Sequence, residues 1–285
     1  MSTPPRRSLD STARGELVRE HRTTVRSLAA RKRRGERFTM LTAYDYPFAR
    51  IFDEVGIDVL LVGDSLGNVV QGLDTTLPVT LDEVVYHTRL VARAAHRALV
   101  VGDLPFGAYQ VSPEEGVRSA IRLVKDGGAH AVKLEGGVRV ADTIDRIVAA
   151  EIPVMGHVGL TPQSIHRMGG YRVQGRGDAE RERVKADARA VQAAGAFAVV
   201  LEGMPADLAV EITAELAIPT IGIGAGAGCD GQVLVMHDML GLNDGFTPGF
   251  VKAYASLGPL VAQAARAFAE DVVNAKFPGE EHSYR

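Results

Sequence analysis

Eight short apolar runs recur along the chain, and helix-like segments separate them. The runs are nearly continuous rather than alternating, which is typical of parallel strands that are buried on both faces. Their spacing is about 30 residues, the length of one strand–helix unit. The predicted strands span residues 38–45, 58–64, 98–105, 130–136, 152–160, 197–203, 218–226 and 231–238.

Helix start signals lie between these runs. Thr80 with Glu83 three residues later matches a capping box, and Ser112 followed by Pro113 matches an N-cap with proline at the first helical position. A long amphipathic segment over 250–277 is expected to form the last helix. Strands and helices therefore alternate along the chain.

This alternation predicts an α/β fold, a (β/α)8 TIM barrel, which needs about 250 residues. A doubly wound open sheet is the alternative, although such sheets usually have fewer strands. The segment TTVRSLAARKRRG before the first strand is expected to form a helix that caps the bottom of the barrel. No linker-like composition divides the chain. We therefore expect a disordered N-terminal tail over 1–22 and a single catalytic barrel domain over 23–285.

Composition excludes several classes of function. The net charge of −3 offers no basic surface for nucleic acid, and the basic cluster at 31–34 is interpreted as a solvated helix end, with a partner-binding patch as the alternative. No apolar run is long enough for a transmembrane helix, and the polar N-terminus lacks a signal peptide's apolar centre. A single cysteine, Cys229, excludes an intrachain disulfide and a cysteine-rich metal site. A cytoplasmic protein with small-molecule partners, and with no membrane or nucleic-acid partner, is expected.

Acidic side chains follow the apolar runs where the strands are expected to end. Catalytic groups of a (β/α)8 barrel lie at the C-terminal ends of its strands, so these acids and His157 are expected to meet at one mouth. Unpaired acids would raise each other's pKa values, and a divalent cation would remove this conflict. A set of oxygen donors favours Mg²⁺ over Zn²⁺. The acids are Asp45, Asp64, Asp103, Glu135, Glu202 and Asp238.

Several of these residues also have ordinary structural interpretations. A strand-end acid can cap a helix or pair with arginine, and Asp45 is expected only to cap the helix that follows it. Lys133 lies two residues before Glu135, so both side chains should point into the barrel. Lys133 can complete a buried ion pair or hold a substrate enolate or carboxylate. His157 can support the metal site or have a purely structural role.

Glycine-rich segments admit more than one interpretation. GIGAGAG, residues 222–228, can bind phosphate, form a tight turn or leave room for a flat ligand. YRVQGRG, residues 171–177, can be a mobile lid or an ordinary surface loop. The glycines on either side of Asp64 and Ser65 are interpreted as room for a ligand.

Ten motifs in order along residues 23–285 resemble the ketopantoate hydroxymethyltransferase family, which belongs to the phosphoenolpyruvate/pyruvate-type barrels. The motifs are MLTAYDYPFA, LVGDSLGNVVQG, TLPVTLDEVVYHT, DLPFGAY, AVKLEGG, VMGHVGLTPQS, GGYRVQGRG, IPTIGIGAG, DGQVLVMHDMLG and FPGEEHSYR. Their number and order make a chance match very improbable.

The resemblance implies a reaction. A one-carbon unit passes from 5,10-methylenetetrahydrofolate to 3-methyl-2-oxobutanoate through an enolate stabilised by one Mg²⁺ per subunit. The product is ketopantoate, a precursor of pantothenate and coenzyme A. The resemblance also implies a homo-oligomer, a decamer.

The resemblance assigns roles to individual residues of this sequence. The implied metal ligands are Asp64, Asp103 and Glu135. The implied contacts to the keto acid are Asp64, Ser65, Asp103 and Lys133. Glu202 falls on the family's proton acceptor, and His157 is a candidate support for the metal site.

Two other functions stay open at this point. One is a Mg²⁺-dependent carbon–carbon lyase or mutase that acts on a 2-oxo acid without folate. The other is a binding or regulatory barrel without catalysis, which the complete set of acids and lysine argues against. The native metal is also open, because oxygen ligands accept Mg²⁺, Mn²⁺ and Co²⁺.

Overall fold

The strands form a closed parallel barrel in chain order, as predicted, in a computed structural model that describes residues 22–243 and 248–284. The predicted tail over 1–22 lies outside the described residues except for Arg22. The strands are β1 (Phe38–Thr42), β2 (Val59–Val62), β3 (Leu99–Asp103), β4 (Ala131–Glu135), β5 (Val154–Gly159), β6 (Ala198–Glu202), β7 (Thr220–Ile223) and β8 (Gly231–Leu234).

The sheet is closed, and helices lie between consecutive strands except between β7 and β8, which confirms the (β/α)8 prediction over an open sheet. The helices are α1 (Val25–Arg34), α2 (Tyr46–Glu54), α3 (Leu66–Val69), α4 (Leu81–Ala94), α5 (Pro113–Lys125), α6 (Ala141–Ala149), α7 (Ile165–Met168), α8 (Asp178–Ala193), α9 (Ala206–Glu215), α10 (Met236–Leu240) and α11 (Leu257–Val273). Short 3₁₀ turns lie at Val138–Val140, Pro162–Ser164 and Glu280–His282.

Side-chain caps start the helices where the sequence predicts them. Thr80 and Glu83 form the reciprocal capping box at the start of α4. Ser112 accepts a hydrogen bond from the backbone N–H three residues on, at 3.2 Å. Asp45 accepts the equivalent bond at 2.9 Å at the start of α2, which confirms its interpretation as a cap. These bonds satisfy N–H groups that have no partner within the helix.

Helix α1 closes the bottom of the barrel, as predicted. Leu28 is fully buried in the core cluster formed by inward-facing strand residues. Arg31 pairs with Asp58 at 2.9 Å, and Lys32 pairs with Asp230 at 2.8 Å. Both acids come directly before strands, so they lie at the N-terminal rim. The prediction of a solvated basic helix end is therefore wrong for these two cations, which are ion-paired and largely buried.

Leu28→Ala is expected to lower the free energy of unfolding by about 2–5 kcal/mol, because it leaves a cavity in a fully buried cluster. Urea unfolding followed by circular dichroism measures the change. Arg33→Ala on the exposed side of α1 is the control, and its effect should stay within about 0.5 kcal/mol. An equally small loss for Leu28→Ala would contradict the role of α1 as a packed cap.

The chain divides into two compact units, residues 1–233 and 234–285. The second unit contains α10 and α11. Asp238 belongs to this unit and was expected at a strand end, which is wrong: β8 ends at Leu234, and Asp238 lies inside α10. Its carboxylate accepts a hydrogen bond from Asn243. The prediction of a single domain over 23–285 stays a prediction.

None of the helices in the described parts of the chain has the length and apolarity needed to cross a membrane.

Candidate active site

Five predicted site residues form one connected cluster toward the C-terminal ends of β3, β4, β5 and β6. Lys133 Nζ lies 3.0 Å from Asp103 Oδ1 and 4.0 Å from Glu135 Oε1. His157 Nδ1 lies 3.4 Å from Glu135 Oε1, and its Nε2 lies 3.1 Å from Glu202 Oε2. The strand register explains these contacts, because Asp103 is paired with Lys133 and Glu135 with His157 on neighbouring strands.

Asp64 joins this cluster from the loop after β2. Its backbone N–H donates to Asp103 Oδ2 at 3.2 Å, and its side chain is buried. Ser65 lies beside it, and its hydroxyl hydrogen-bonds the Tyr44 hydroxyl at 2.8 Å. The structure therefore brings together the residues predicted for metal and keto-acid binding.

The flanking glycines make room for the protein itself, which differs from the predicted room for a ligand. A Cβ atom on Gly63 would lie 2.9 Å from Ser65 Oγ. A Cβ atom on Gly67 would lie 2.8 Å from a methyl group of Val79. Glycine at these two positions lets the Asp64–Ser65 turn pack closely against its neighbours.

Burial and mutual repulsion shift the pKa values of the two aspartates. Burial raises the pKa of Asp64 well above its usual value, and the carboxylates of Asp103 and Glu135 raise it further. Burial also raises the pKa of Asp103, against the opposing effect of Lys133. The aspartates are therefore held in a setting that disfavours their ionised forms unless more positive charge is present.

The pKa values of the two cationic partners are raised as well, which favours their charged forms. Burial alone would lower the pKa of Lys133, but Asp103, Glu135 and Asp64 raise it above its usual value. Burial and Lys133 would lower the pKa of His157, but its contacts with Glu135 and Glu202 raise it to about 9. The four carboxylates thus face two cations, so the fully ionised cluster keeps an excess of negative charge.

His157 lies between the predicted metal ligand Glu135 and the predicted proton acceptor Glu202. Burial would raise the pKa of Glu135, but the hydrogen bond from His157 lowers it. Only Glu202 of this group keeps an appreciably exposed side chain, at 17%. The proton acceptor predicted from the sequence is thus the acid that a substrate in the barrel mouth can reach most easily.

The donor set fits a hard cation chemically. Asp103 Oδ1 is buried and has no hydrogen bond of good geometry within the described residues, although the Lys133 ammonium lies 3.0 Å away. Across residues 22–243 and 248–284, no three His, Cys, Asp or Glu side chains are arranged as a metal site. A bound cation would therefore have to turn the carboxylates of Asp64, Asp103 and Glu135 toward itself.

Two neutral residues of the site were not predicted as functional. Tyr109 follows β3, and Gln163 follows β5 in the turn Pro162–Ser164. The Tyr109 hydroxyl lies 2.8 Å from Gln163 Oε1 and 3.0 Å from the Glu135 carbonyl oxygen. Both residues lie in quoted motifs, DLPFGAY and VMGHVGLTPQS. Their position just after strand ends was the signal that could have identified them.

The two glycine-rich segments, residues 222–228 and 171–177, contribute less to the site than the strand-end residues do. A Cβ atom on Gly226 would lie 2.4 Å from Ala206 Cβ, and one on Gly228 would lie 2.3 Å from Val210 Cγ2. Close packing against α9 therefore accounts for these two glycines of 222–228. The backbone N–H of Gln174 donates to the Gly203 carbonyl at 2.8 Å, which ties segment 171–177 to the end of β6. The lid function of that segment stays a prediction.

The sequence comparisons identify the family. The model described as "Ketopantoate hydroxymethyltransferase" matches residues 22–280. The chain belongs to this family. It is 58% identical to the 3-methyl-2-oxobutanoate hydroxymethyltransferase of Pelobacter propionicus (92% of this chain, 97% of the relative). It is 60% identical to the enzyme of that name from Frankia casuarinae (92% of this chain, 88% of the relative).

The fold of this chain also resembles solved structures at low sequence identity. A phosphonopyruvate hydrolase in complex with oxalate and Mg²⁺ matches with a TM-score of 0.59 and 12% identity, over 91% of this chain and 93% of that one. A 2,3-dimethylmalate lyase of the PEP mutase/isocitrate lyase superfamily matches with a TM-score of 0.58 and 20% identity, over 92% of both chains. At these identities the likeness shows the fold alone.

Proposed function

We propose that this protein transfers a one-carbon unit from 5,10-methylenetetrahydrofolate to 3-methyl-2-oxobutanoate and releases ketopantoate for pantothenate synthesis. The observation that carries the proposal is the buried contact chain Asp103–Lys133–Glu135–His157–Glu202 at the strand ends. It occurs in a chain 58% identical to a relative named for this activity.

The reaction needs a base for the C3 proton of the keto acid and positive charge beside the enolate oxygen. Glu202 supplies the base, because its carboxylate is the most exposed of the cluster. His157 contacts Glu202 Oε2 at 3.1 Å and fixes the direction of that carboxylate. Lys133 holds the keto acid's carboxylate or enolate oxygen, and the Ser65 hydroxyl binds beside it.

A divalent cation completes this proposal. Asp64, Asp103 and Glu135 would hold Mg²⁺, which would supply a Lewis acid beside the keto oxygen. Two observations support a cation here: the buried Asp103 Oδ1 without a well-formed hydrogen bond, and the raised pKa of Asp64, caused by burial and its neighbouring acids. Mn²⁺ and Co²⁺ suit the same oxygen donors.

Assembly as a homodecamer and a cytoplasmic location are parts of the same proposal. Exposed apolar side chains on the first unit, including Tyr86, Val111 and Val138, are compatible with subunit contacts. The lyase or mutase alternative has only the fold likeness to phosphonopyruvate hydrolase and 2,3-dimethylmalate lyase in its favour. The transferase is therefore the function that the chain supports best.

Folate dependence is the decisive test of this function. Purified protein with Mg²⁺ and 3-methyl-2-oxobutanoate is expected to form ketopantoate only when 5,10-methylenetetrahydrofolate is added. Chelation with EDTA should abolish turnover, and added Mg²⁺ should restore it. Mass spectrometry of the products follows both results. Consumption of the keto acid at the same rate without folate would replace the transferase with a lyase or mutase.

A further inference from the structure

The side-chain amide of Gln163 is fully hydrogen-bonded between a predicted metal ligand and the loop after β3. Its Nε2 group donates to Asp64 Oδ2 at 2.9 Å and to the Leu104 carbonyl at 3.0 Å. Its Oε1 atom accepts from Gln110 Nε2 at 3.1 Å and lies 2.8 Å from the Tyr109 hydroxyl. Two donors and two acceptor positions are therefore all in use.

The backbone of the same residue contacts a second predicted ligand. The Gln163 N–H donates to Glu135 Oε2 at 3.0 Å. Gln163 is 5% exposed, so these bonds do not compete with solvent. One residue thus binds an oxygen of Asp64, in the loop after β2, and an oxygen of Glu135, at the end of β4.

The surroundings determine which way the amide points. The Leu104 carbonyl can only accept a hydrogen bond, so it requires the NH₂ group, which also donates to Asp64 Oδ2. Gln110 offers an NH₂ group and therefore requires the oxygen. A rotated amide would place its oxygen against the Leu104 carbonyl oxygen and its NH₂ group against the NH₂ group of Gln110. The side chain therefore has one stable orientation.

We propose that Gln163 is a positioning residue that orients Asp64 and Glu135 for a divalent cation. It occupies one oxygen of each carboxylate, Asp64 Oδ2 and Glu135 Oε2. The oxygens that would turn toward the ion are then Asp64 Oδ1 and Glu135 Oε1, the second of which also faces His157 and Lys133. Without the side chain, Asp64 is free to rotate and the Leu104 carbonyl loses a buried partner. This inference rests on the proposed metal site but not on the identity of the substrates.

Metal binding to the free protein tests this role directly. Chelator-treated protein is titrated with Mn²⁺, and free Mn²⁺ is followed by electron paramagnetic resonance. Gln163→Met keeps the volume but removes every side-chain hydrogen bond, and Gln163→Asn keeps the amide on a shorter arm. Both are expected to weaken Mn²⁺ binding by about 10–100-fold, the usual effect of losing a partner of a metal ligand.

Gln192→Leu is the matched control. The Gln192 amide oxygen accepts from the backbone N–H groups of Ala217 and Ile218, outside the acid cluster, so its loss should lower stability without changing the Mn²⁺ dissociation constant. In turnover assays the Gln163 variants should need more Mg²⁺ for half-maximal activity, while kcat at saturating Mg²⁺ changes far less. A purely structural role for Gln163 would not raise the Mg²⁺ requirement while leaving kcat at saturating Mg²⁺ nearly unchanged.

The outcomes also separate this inference from the proposed function. If wild-type protein binds Mn²⁺ and the folded Gln163 variants bind it equally well, the inference is wrong even when turnover is normal. If wild-type protein binds no Mn²⁺, the inference is also wrong. If binding weakens as expected but no ketopantoate forms, the positioning role stands and the transferase proposal fails. Should Gln163→Met not fold, Gln163→Asn gives the same comparison.

Discussion

Replacing Asp103 with asparagine is expected to lower kcat by about 10³-fold, because a Lewis-acid contact contributes several kcal/mol to the transition state. The fold should survive, since an asparagine oxygen can still accept the Asp64 N–H that Asp103 Oδ2 accepts at 3.2 Å. Asparagine removes the negative charge that attracts both the cation and Lys133. Steady-state kinetics over a range of Mg²⁺ concentrations measures the loss, and Mn²⁺ titration should show weaker binding.

Asp45→Asn is the matched control for this experiment. Asp45 is also an acid after a strand, but its carboxylate caps α2 instead of joining the cluster. Asparagine caps a helix about as well as aspartate, so stability and kcat should both stay near the wild-type values. If Asp103→Asn kept wild-type turnover and Mn²⁺ affinity, Asp103 would lose its assigned role as a metal ligand.

The fold and most of the charged cluster could be predicted from the sequence. In a barrel, the position of a residue along its strand determines which end of the barrel it occupies. Asp103, Glu135 and Glu202 are each the last residue of a strand. An acid that is the last residue of a barrel strand lies at the mouth. Lys133 follows from the two-residue period of β4.

For the neutral side chains, a position just after a strand end indicates the mouth of the barrel but does not give the hydrogen-bond partners. Gln163 bonds Asp64 across 99 residues of sequence, and neither charge nor periodicity links the two positions. The ion pairs of Arg31 and Lys32 with Asp58 and Asp230 were missed for the same reason. A run of basic residues looks solvated until the tertiary structure supplies its partners.

Asp238 shows a different limit of sequence reasoning. The segment VLVMHD continues the apolar run of β8, and a short apolar run does not distinguish a strand from a buried helical turn. The chain enters α10 after Val235, which has extended backbone angles, and leaves it at Gly241 with φ of 63°. The acid therefore lies in a helix rather than at a strand end.

Glu202→Gln is expected to lower kcat by about 10²–10⁴-fold, the usual contribution of a positioned general base. Glutamine has nearly the same shape, and its amide oxygen can keep the contact that Glu202 Oε2 makes with His157 Nε2 at 3.1 Å. It cannot accept the C3 proton of the keto acid. Mn²⁺ affinity should stay near the wild-type value, because Glu202 is not among the proposed metal ligands.

Proton exchange distinguishes this role from a defect in folate binding. Wild-type protein with Mg²⁺ in D₂O is expected to exchange the C3 proton of 3-methyl-2-oxobutanoate for deuterium, observable by NMR without folate. Glu202→Gln should lose this exchange together with turnover, whereas a residue that only binds folate would affect turnover alone. Exchange at the wild-type rate in Glu202→Gln would transfer the role of base to another group.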